Sequence, residues 1–294
     1  MRSFILLLFM SVALFALDAV VSPKWLNDHI ADANLRVVHV GSVDGFEDAH
    51  IPNAMQSDIE KWRVDNGTFL VLRSKSEIEQ EISRLGINAN STVVLYAPID
   101  TPKDLLKASY IYWALDIHGV KNVGILDGGM DAWKYADYKL TTMSVAHKPT
   151  NFKASIDTSK VADLEFVKAN INKLPMVDAR PADMYLGITP TPTVKRDGHI
   201  KGAMSYTWIY SLNSDYTMKD RAKLEDLFVN GYNLAKDKEV LVYCTGGLET
   251  SFNYFVLNGV LGYKKVRLYD ASMKEWGNRE DTPINSYFYE VFKQ

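Results

Sequence analysis

The chain of 294 residues holds one cysteine, Cys244, inside the stretch EVLVYCTGGLETSFNYF. A single thiol can serve as a nucleophile or as a small buried apolar group. Its neighbours bear on the choice. Upstream, Val240, Leu241, Val242 and Tyr243 form an apolar run of strand type. Downstream, from Glu249 to Gly259, apolar residues recur at helical spacing. Between them, Gly246 and Gly247 allow backbone dihedrals and close approaches that other residues resist. Cys244 is therefore expected on a tight strand-to-helix turn. There the amides of Thr245, Gly246, Gly247, Leu248, Glu249 and Thr250 can converge on an anion. A thiolate is such an anion. A free cysteine titrates near ~8.5, and helix N-termini bring thiols down to ~3.5–7.5. The turn is expected to favour the ionised nucleophile.

The elements that must position this turn come from an internal repeat. Residues 93–138 and 240–281 both run strand, turn, helix, glycine and short strand. Each then has an aspartate followed six positions later by tryptophan, Asp127 and Trp133 in one copy, Asp270 and Trp276 in the other. Upstream, Val37-Val38-His39-Val40 followed by His50-Ile51-Pro52-Asn53-Ala54 echoes Met176-Val177-Asp178-Ala179 followed by His199-Ile200-Lys201-Gly202-Ala203. Four features in one order argue for two copies of one α/β unit. Strands alternating with helical segments predict, in each half, a mainly parallel sheet flanked by helices. Ligands of such sheets bind beyond the carboxyl ends of the strands, which is where Cys244 falls. The expected division is a leader over 1–19, a first domain over 20–142, a polar linker over 143–162 and a second domain over 163–294.

Composition sets the outer limits. Net charge is −3 and 23% of residues are charged, with 47% hydrophobic. That is a globular composition with no general pull towards nucleic acid. One cysteine excludes an internal disulfide framework, a cysteine-rich metal site and an internal resolving thiol. The chain begins with Met1-Arg2-Ser3, an apolar run from Phe4 to Met10 and more apolar residues to Leu17. A basic start, an apolar stretch and small residues near Ala16 and Ala19 predict an export leader, hence a periplasmic protein without stable membrane association once the leader is removed. The alternative is an uncleaved anchor, although the run is short for a span of ~20 residues.

These features together resemble the tandem rhodanese-type sulfurtransferases, the thiosulfate and 3-mercaptopyruvate group. The resemblance runs from Val20-Val21-Ser22-Pro23-Lys24-Trp25-Leu26 to Trp276-Gly277. It rests on Val177-Asp178-Ala179-Arg180, Gly198-His199-Ile200-Lys201-Gly202-Ala203, the loop opening at Tyr243-Cys244, and Tyr269-Asp270 through Trp276-Gly277. It implies that Cys244 takes a sulfane sulfur from a small anionic donor. The persulfide would pass its sulfur to a thiol, small or on a thioredoxin-like protein, or to cyanide, with no cofactor or metal. The loop residues 245–250 would bind substrate. Arg180 would either steady the loop or face the anion. Asp178, His199, Asp270 and Trp276 would hold the fold. Ala97 stands where the second copy has Cys244, so the first domain is expected to be catalytically silent. The aromatic stretch Tyr110-Ile111-Tyr112-Trp113 reads as core and interdomain packing.

Where substrate is chosen, the chain departs from the family pattern. Residues 245–249 carry no basic side chain, and Glu249 adds a negative one. Met184 replaces an arginine common in the mercaptopyruvate type, and the place of a second cation falls to Lys195 or Arg196 or, in an equally fair alignment, to Thr193. Two rival readings follow. A non-catalytic rhodanese-like binding module or persulfide carrier needs no loop cations. A cysteine phosphatase or arsenate reductase would need an arginine closing the loop, and Thr250 and Ser251 occupy that region instead.

Overall fold

The structure, a computed structural model, describes residues 17–287. In the first half, strands β1 (Val20–Val21), β2 (Leu35–Val40) and β3 (Ala54–Ser57) precede a hairpin, β4 (Arg63–Asp65) and β5 (Leu70–Leu72). Strands β6 (Thr92–Tyr96) and β7 (Val123–Leu126) complete that half. The second half has β8 (Val161–Ala162), β9 (Met176–Asp178), β10 (His199–Ile200), β11 (Met204–Ser205), β12 (Val240–Tyr243), β13 (Val266–Tyr269) and β14 (Ile284–Asn285). Two five-stranded parallel sheets result, ordered β1-β7-β6-β2-β3 and β8-β13-β12-β9-β11. The orders match strand for strand. The repeat seen in sequence is a repeat of topology, and the α/β architecture is as expected.

The central strands β6 and β12 are buried nearly throughout. Helices cover both faces, so the strands are apolar runs rather than alternating ones. The equivalence reaches the turns after these strands. Met130 N–H donates to Ala97 O at 3.0 Å, and Met273 N–H donates to Cys244 O at 3.0 Å. Ala97 and Cys244 are structural twins.

Residues at two of the expected edges are held by the sheets. Leu17 N–H donates to Asn122 Oδ1 at 2.7 Å, and Ala19 O accepts from Ile125 N–H at 2.8 Å. Leu17 and Ala19, at the end of the expected leader, are thus hydrogen-bonded to the first domain, while the leader's residues 1–16 lie outside the described residues. Val161 and Ala162, expected to close the linker, pair with β13 and belong to the second sheet. The linker itself is strapped to the first domain. Thr150 N–H reaches Ser83 O at 3.0 Å, Ala154 N–H reaches Glu79 Oε1 at 2.8 Å, and Phe152 is buried.

The two domains share one apolar core. The helix Asp104–Ile117 is buried along almost its whole length and packs against the helix Leu248–Tyr254, which continues as a π-helical turn, Phe255–Val260. Tyr112 meets Phe255 edge-on at 4.9 Å between ring centres. Ser109 and Ser251 hydroxyls lie 2.8 Å apart, and Tyr254 Oη donates to Asp116 Oδ2 at 2.7 Å. A helix that is apolar all round signals burial on every side. Here the second domain supplies the far side.

Candidate active site

Cys244 follows β12 at its carboxyl end and is fully buried. Gly247 N–H donates to its sulfur at 3.2 Å. Gly247 sits at φ +93°, and a Cβ there would lie 2.0 Å from Asp270 Oδ1. Only glycine lets the chain turn back over the sulfur at this point. Gly246 lies against the stem of Lys274, whose Cδ would be 3.1 Å from a Cβ at that position. Thr250 is buried, and its hydroxyl has no partner among the described residues. Leu248 packs its partly buried side chain on the shared core. Glu249 is half-buried, and its carboxylate accepts from Thr245 N–H at 3.5 Å.

The electrostatics correct one expectation. Burial pushes the Cys244 thiol far above the ordinary cysteine range, and the neighbouring Glu249 carboxylate pushes it further. The amides of Thr250 and Gly246 pull the other way and are outweighed. Desolvation of a charge in an apolar interior exceeds what a few amides return. At rest the thiol is therefore neutral, not the thiolate that the turn alone suggested. Glu249 is raised as well, chiefly by burial, while a hydrogen bond from the thiol and one from Thr245 lower it. The carboxylate beside the thiol thus works with burial to keep the proton on sulfur at rest.

Arg180 has its guanidinium fully buried and turned to the protein. Its Nε and Nη2 face Asp178 at 3.0 and 2.6 Å, Nη1 donates to Thr191 Oγ1 at 3.0 Å, and Nη2 donates to Gly198 O at 2.6 Å. The guanidinium thus braces Asp178, Thr191 and Gly198, and among the described residues it makes no hydrogen bond to residues 244–250. Asp178 is its buried partner, while His199 stacks on Tyr185 at 3.7 Å and hydrogen-bonds Tyr185 O through Nδ1 at 2.7 Å. Trp276 Nε1–H donates to Pro283 O at 3.1 Å. Arg196 is engaged by Thr282 and Trp276 O around the C-terminal turn, and the Lys195 side chain is exposed.

Three residues at the loop were not singled out from sequence. Ser272 sits at φ +53°, an uncommon conformation for a residue with a side chain. Its Oγ accepts from Cys244 N–H at 3.0 Å and donates to Tyr269 O at 2.6 Å. The first copy has Gly129, at φ +56°, in the corresponding place. That Gly-to-Ser difference between the copies was a signal available in the sequence. Lys274, two residues on, lays its side-chain stem against Gly246. Arg63 comes from β4 of the first domain and donates to Gly246 O at 2.5 Å and Leu70 O at 2.8 Å. No local motif pointed to it.

Comparison with known proteins places this arrangement. A family described as "Rhodanese-like domain" matches residues 22–136 and 163–279. A Haloferax volcanii protein named "Putative thiosulfate sulfurtransferase" is 31% identical over 94% of this chain and 99% of its own length. The "Sulfur carrier protein TtuD" of Thermus thermophilus is 31% identical over 91% of this chain and 96% of its own length. The chain belongs to the tandem-domain rhodanese family. Among solved structures, the anaerobic ergothioneine biosynthesis enzyme of Chlorobium limicola superposes with a TM-score of 0.80 at 22% identity, covering 92% of this chain and 70% of that one. YnjE gives 0.76 at 22% identity, covering 91% and 68%. At that identity the likeness is one of fold.

Proposed function

We propose that this protein is a sulfurtransferase working through a persulfide on Cys244. The observation that supports it most directly is the only thiol of the chain, held 3.2 Å from the Gly247 amide in one copy of a repeat whose other copy carries Ala97. Glu249 accepts the thiol proton. The thiolate then attacks the outer sulfur of a donor such as thiosulfate or 3-mercaptopyruvate. A sulfur–sulfur bond to Cys244 forms and the donor's bond to that sulfur breaks. Sulfite, or the enolate of pyruvate, leaves with the electron pair. An acceptor thiolate or cyanide next attacks the terminal sulfur, and the Cys244 thiolate departs. No oxidant is consumed. Protonation of Glu249 also removes a negative charge from the loop while an anionic donor is present.

A second reading is a persulfide carrier for a partner protein. It draws support from the relative named a sulfur carrier and from the lack of basic side chains within residues 245–249. With no second thiol in the chain, the sulfur must leave on an outside acceptor in either case. The leader pattern supports an exported protein. Small thiols are scarce in oxidising compartments, which favours a protein thiol or cyanide there.

Intact mass tests this. The protein is incubated with thiosulfate or 3-mercaptopyruvate, and the donor is removed. A species heavier by one sulfur is expected, lost on adding cyanide, dithiothreitol or reduced thioredoxin and never formed by Cys244→Ser. Loading without catalytic turnover supports the carrier. Failure of every donor to load Cys244 refutes both readings.

A further inference from the structure

The two domains exchange contacts reciprocally. In one direction, the first domain's β4–β5 hairpin reaches the second domain, and Leu72 N–H donates to Asp270 Oδ2 at 2.9 Å. In the other, a short bridge pairs Leu212 with Met218, and Met218 N–H donates to Asp127 Oδ1 at 2.7 Å. Asp127 and Asp270 are the repeated aspartates, so the two contacts are equivalent. Within the hairpin, the residue paired with Leu72 is Arg63. The residue paired with Met218 is Leu212. An arginine thus faces the loop that holds a cysteine, and a leucine occupies the same place towards the loop that holds Ala97.

The arginine is held hard in place. It is 6% exposed, its guanidinium carbon lies 4.8 Å from the centre of the Tyr110 ring, and Nη2 is 3.9 Å from Asp270 Oδ1. Tyr110 Oη donates to Asp270 Oδ2 at 2.8 Å. Removing a guanidinium from water is costly without good partners, and here the Nε–H has none among the described residues. The gain lies at Gly246 O. That carbonyl and the Gly247 N–H belong to one planar peptide group. A cation on the oxygen draws electron density from the nitrogen and strengthens its N–H as a donor. The N–H in question is the one 3.2 Å from Cys244 Sγ.

We propose that Arg63, contributed by the first domain, is a positioning residue that orients and polarises the Gly246–Gly247 peptide so that its N–H serves sulfur on Cys244. The chain of contacts runs from guanidinium to carbonyl, through one peptide bond, to sulfur. It supplies to the loop, from the other domain, a cation that residues 245–249 lack. The charged groups around it are Asp270 beneath Gly247, the Glu249 carboxyl beside the thiol, and Lys274 along Gly246. The silent first domain is then a working part of the site. The inference rests on the persulfide reading for its purpose, but its test needs no sulfur donor.

The test is the alkylation of Cys244 by iodoacetamide in the full-length protein, followed by intact mass across a series from neutral to alkaline pH. With one cysteine the readout is unambiguous. Arg63→Leu copies the silent contact and Arg63→Gln keeps a neutral donor. A weaker N–H disfavours the thiolate, so the pH–rate profile should move to higher pH. At one pH below the inflection, the Leu variant should react about tenfold more slowly and the Gln variant about threefold more slowly, a tenfold change being one pKa unit. Rates in denaturant should be equal for all three. An unmoved profile in a folded variant overturns the proposal. Faster reaction at every pH does too, because it would mean that Arg63 only keeps the loop shut. If the Leu variant fails to fold, the Gln variant decides by the same two criteria. A shifted profile together with failure of every donor to load Cys244 would sink the persulfide reading and leave the relay standing.

Discussion

Replacing Arg180 with methionine separates the two roles that the sequence left open to it. Both Arg180 and Asp178 side chains are fully buried, at 2.6 Å from each other. Methionine would leave Asp178 as an uncompensated carboxylate, and Thr191 Oγ1 and Gly198 O would lose a charged donor. Breaking a buried ion pair from one side costs about 3–5 kcal/mol. Domains are stable by only about 5–15 kcal/mol, so a large part of the second domain's stability is at stake. With urea slopes of about 1–3 kcal/mol/M, the unfolding midpoint should fall by about 2 M. The assay is equilibrium urea unfolding followed by tryptophan fluorescence, with donor saturation measured on the protein that remains folded. A brace predicts the large loss of stability with little change in the donor's KM. Arg180→Lys keeps the charge but not the fork of donors and should fall between. If the methionine variant is as stable as the wild type and its KM for thiosulfate rises tenfold, Arg180 faces the anion and the reasoning fails.

Two other expectations are open to measurement. Gly247→Ala puts a Cβ 2.0 Å from Asp270 Oδ1 at φ +93°; the variant should lose at least about 2 kcal/mol of stability and no longer form the persulfide, and wild-type loading by intact mass would contradict this. His39, the first-copy residue at the place of Asp178, is buried with Nε2 unpartnered among the described residues, and burial, aided by His50, holds its pKa down at about 4. The unfolded chain therefore binds a proton before the folded one does. This contribution to stability is complete above pH ~6.5, declines by about 3 kcal/mol as pH falls to ~4, and is level below that. Unfolding free energies across that range should show a shallower slope in His39→Gln, and parallel slopes would count against a neutral buried imidazole.

Sequence by itself determined the parts of this protein that local chemistry controls. Apolar runs without alternation specify strands covered on both faces, and the two sheets have the same strand order. The glycine pair after Tyr243 specifies a turn that only glycine can make, as the φ of Gly247 shows. The absence of a thiol at Ala97 needs no structure to interpret. Tertiary structure decided what depends on distance and solvent. The state of the Cys244 thiol is set by burial and by Glu249, and burial is a property of everything that packs over the turn. From its position after β9 the Arg180 guanidinium could have pointed elsewhere, and only the folded chain shows it turned to Asp178, the carbonyl of Gly198 and the hydroxyl of Thr191. The stretch Tyr110–Trp113 reads as core and interdomain packing, yet only the folded chain shows that the helix Leu248–Tyr254 of the second domain covers its far side. Arg63 is the extreme case. It stands 183 positions from Gly246, and no spacing rule joins residues so far apart. The link exists because two copies of one fold pack with each copy's hairpin or bridge against the other's aspartate, and the partner of a given residue is then chosen by that packing and not by its neighbours in the chain.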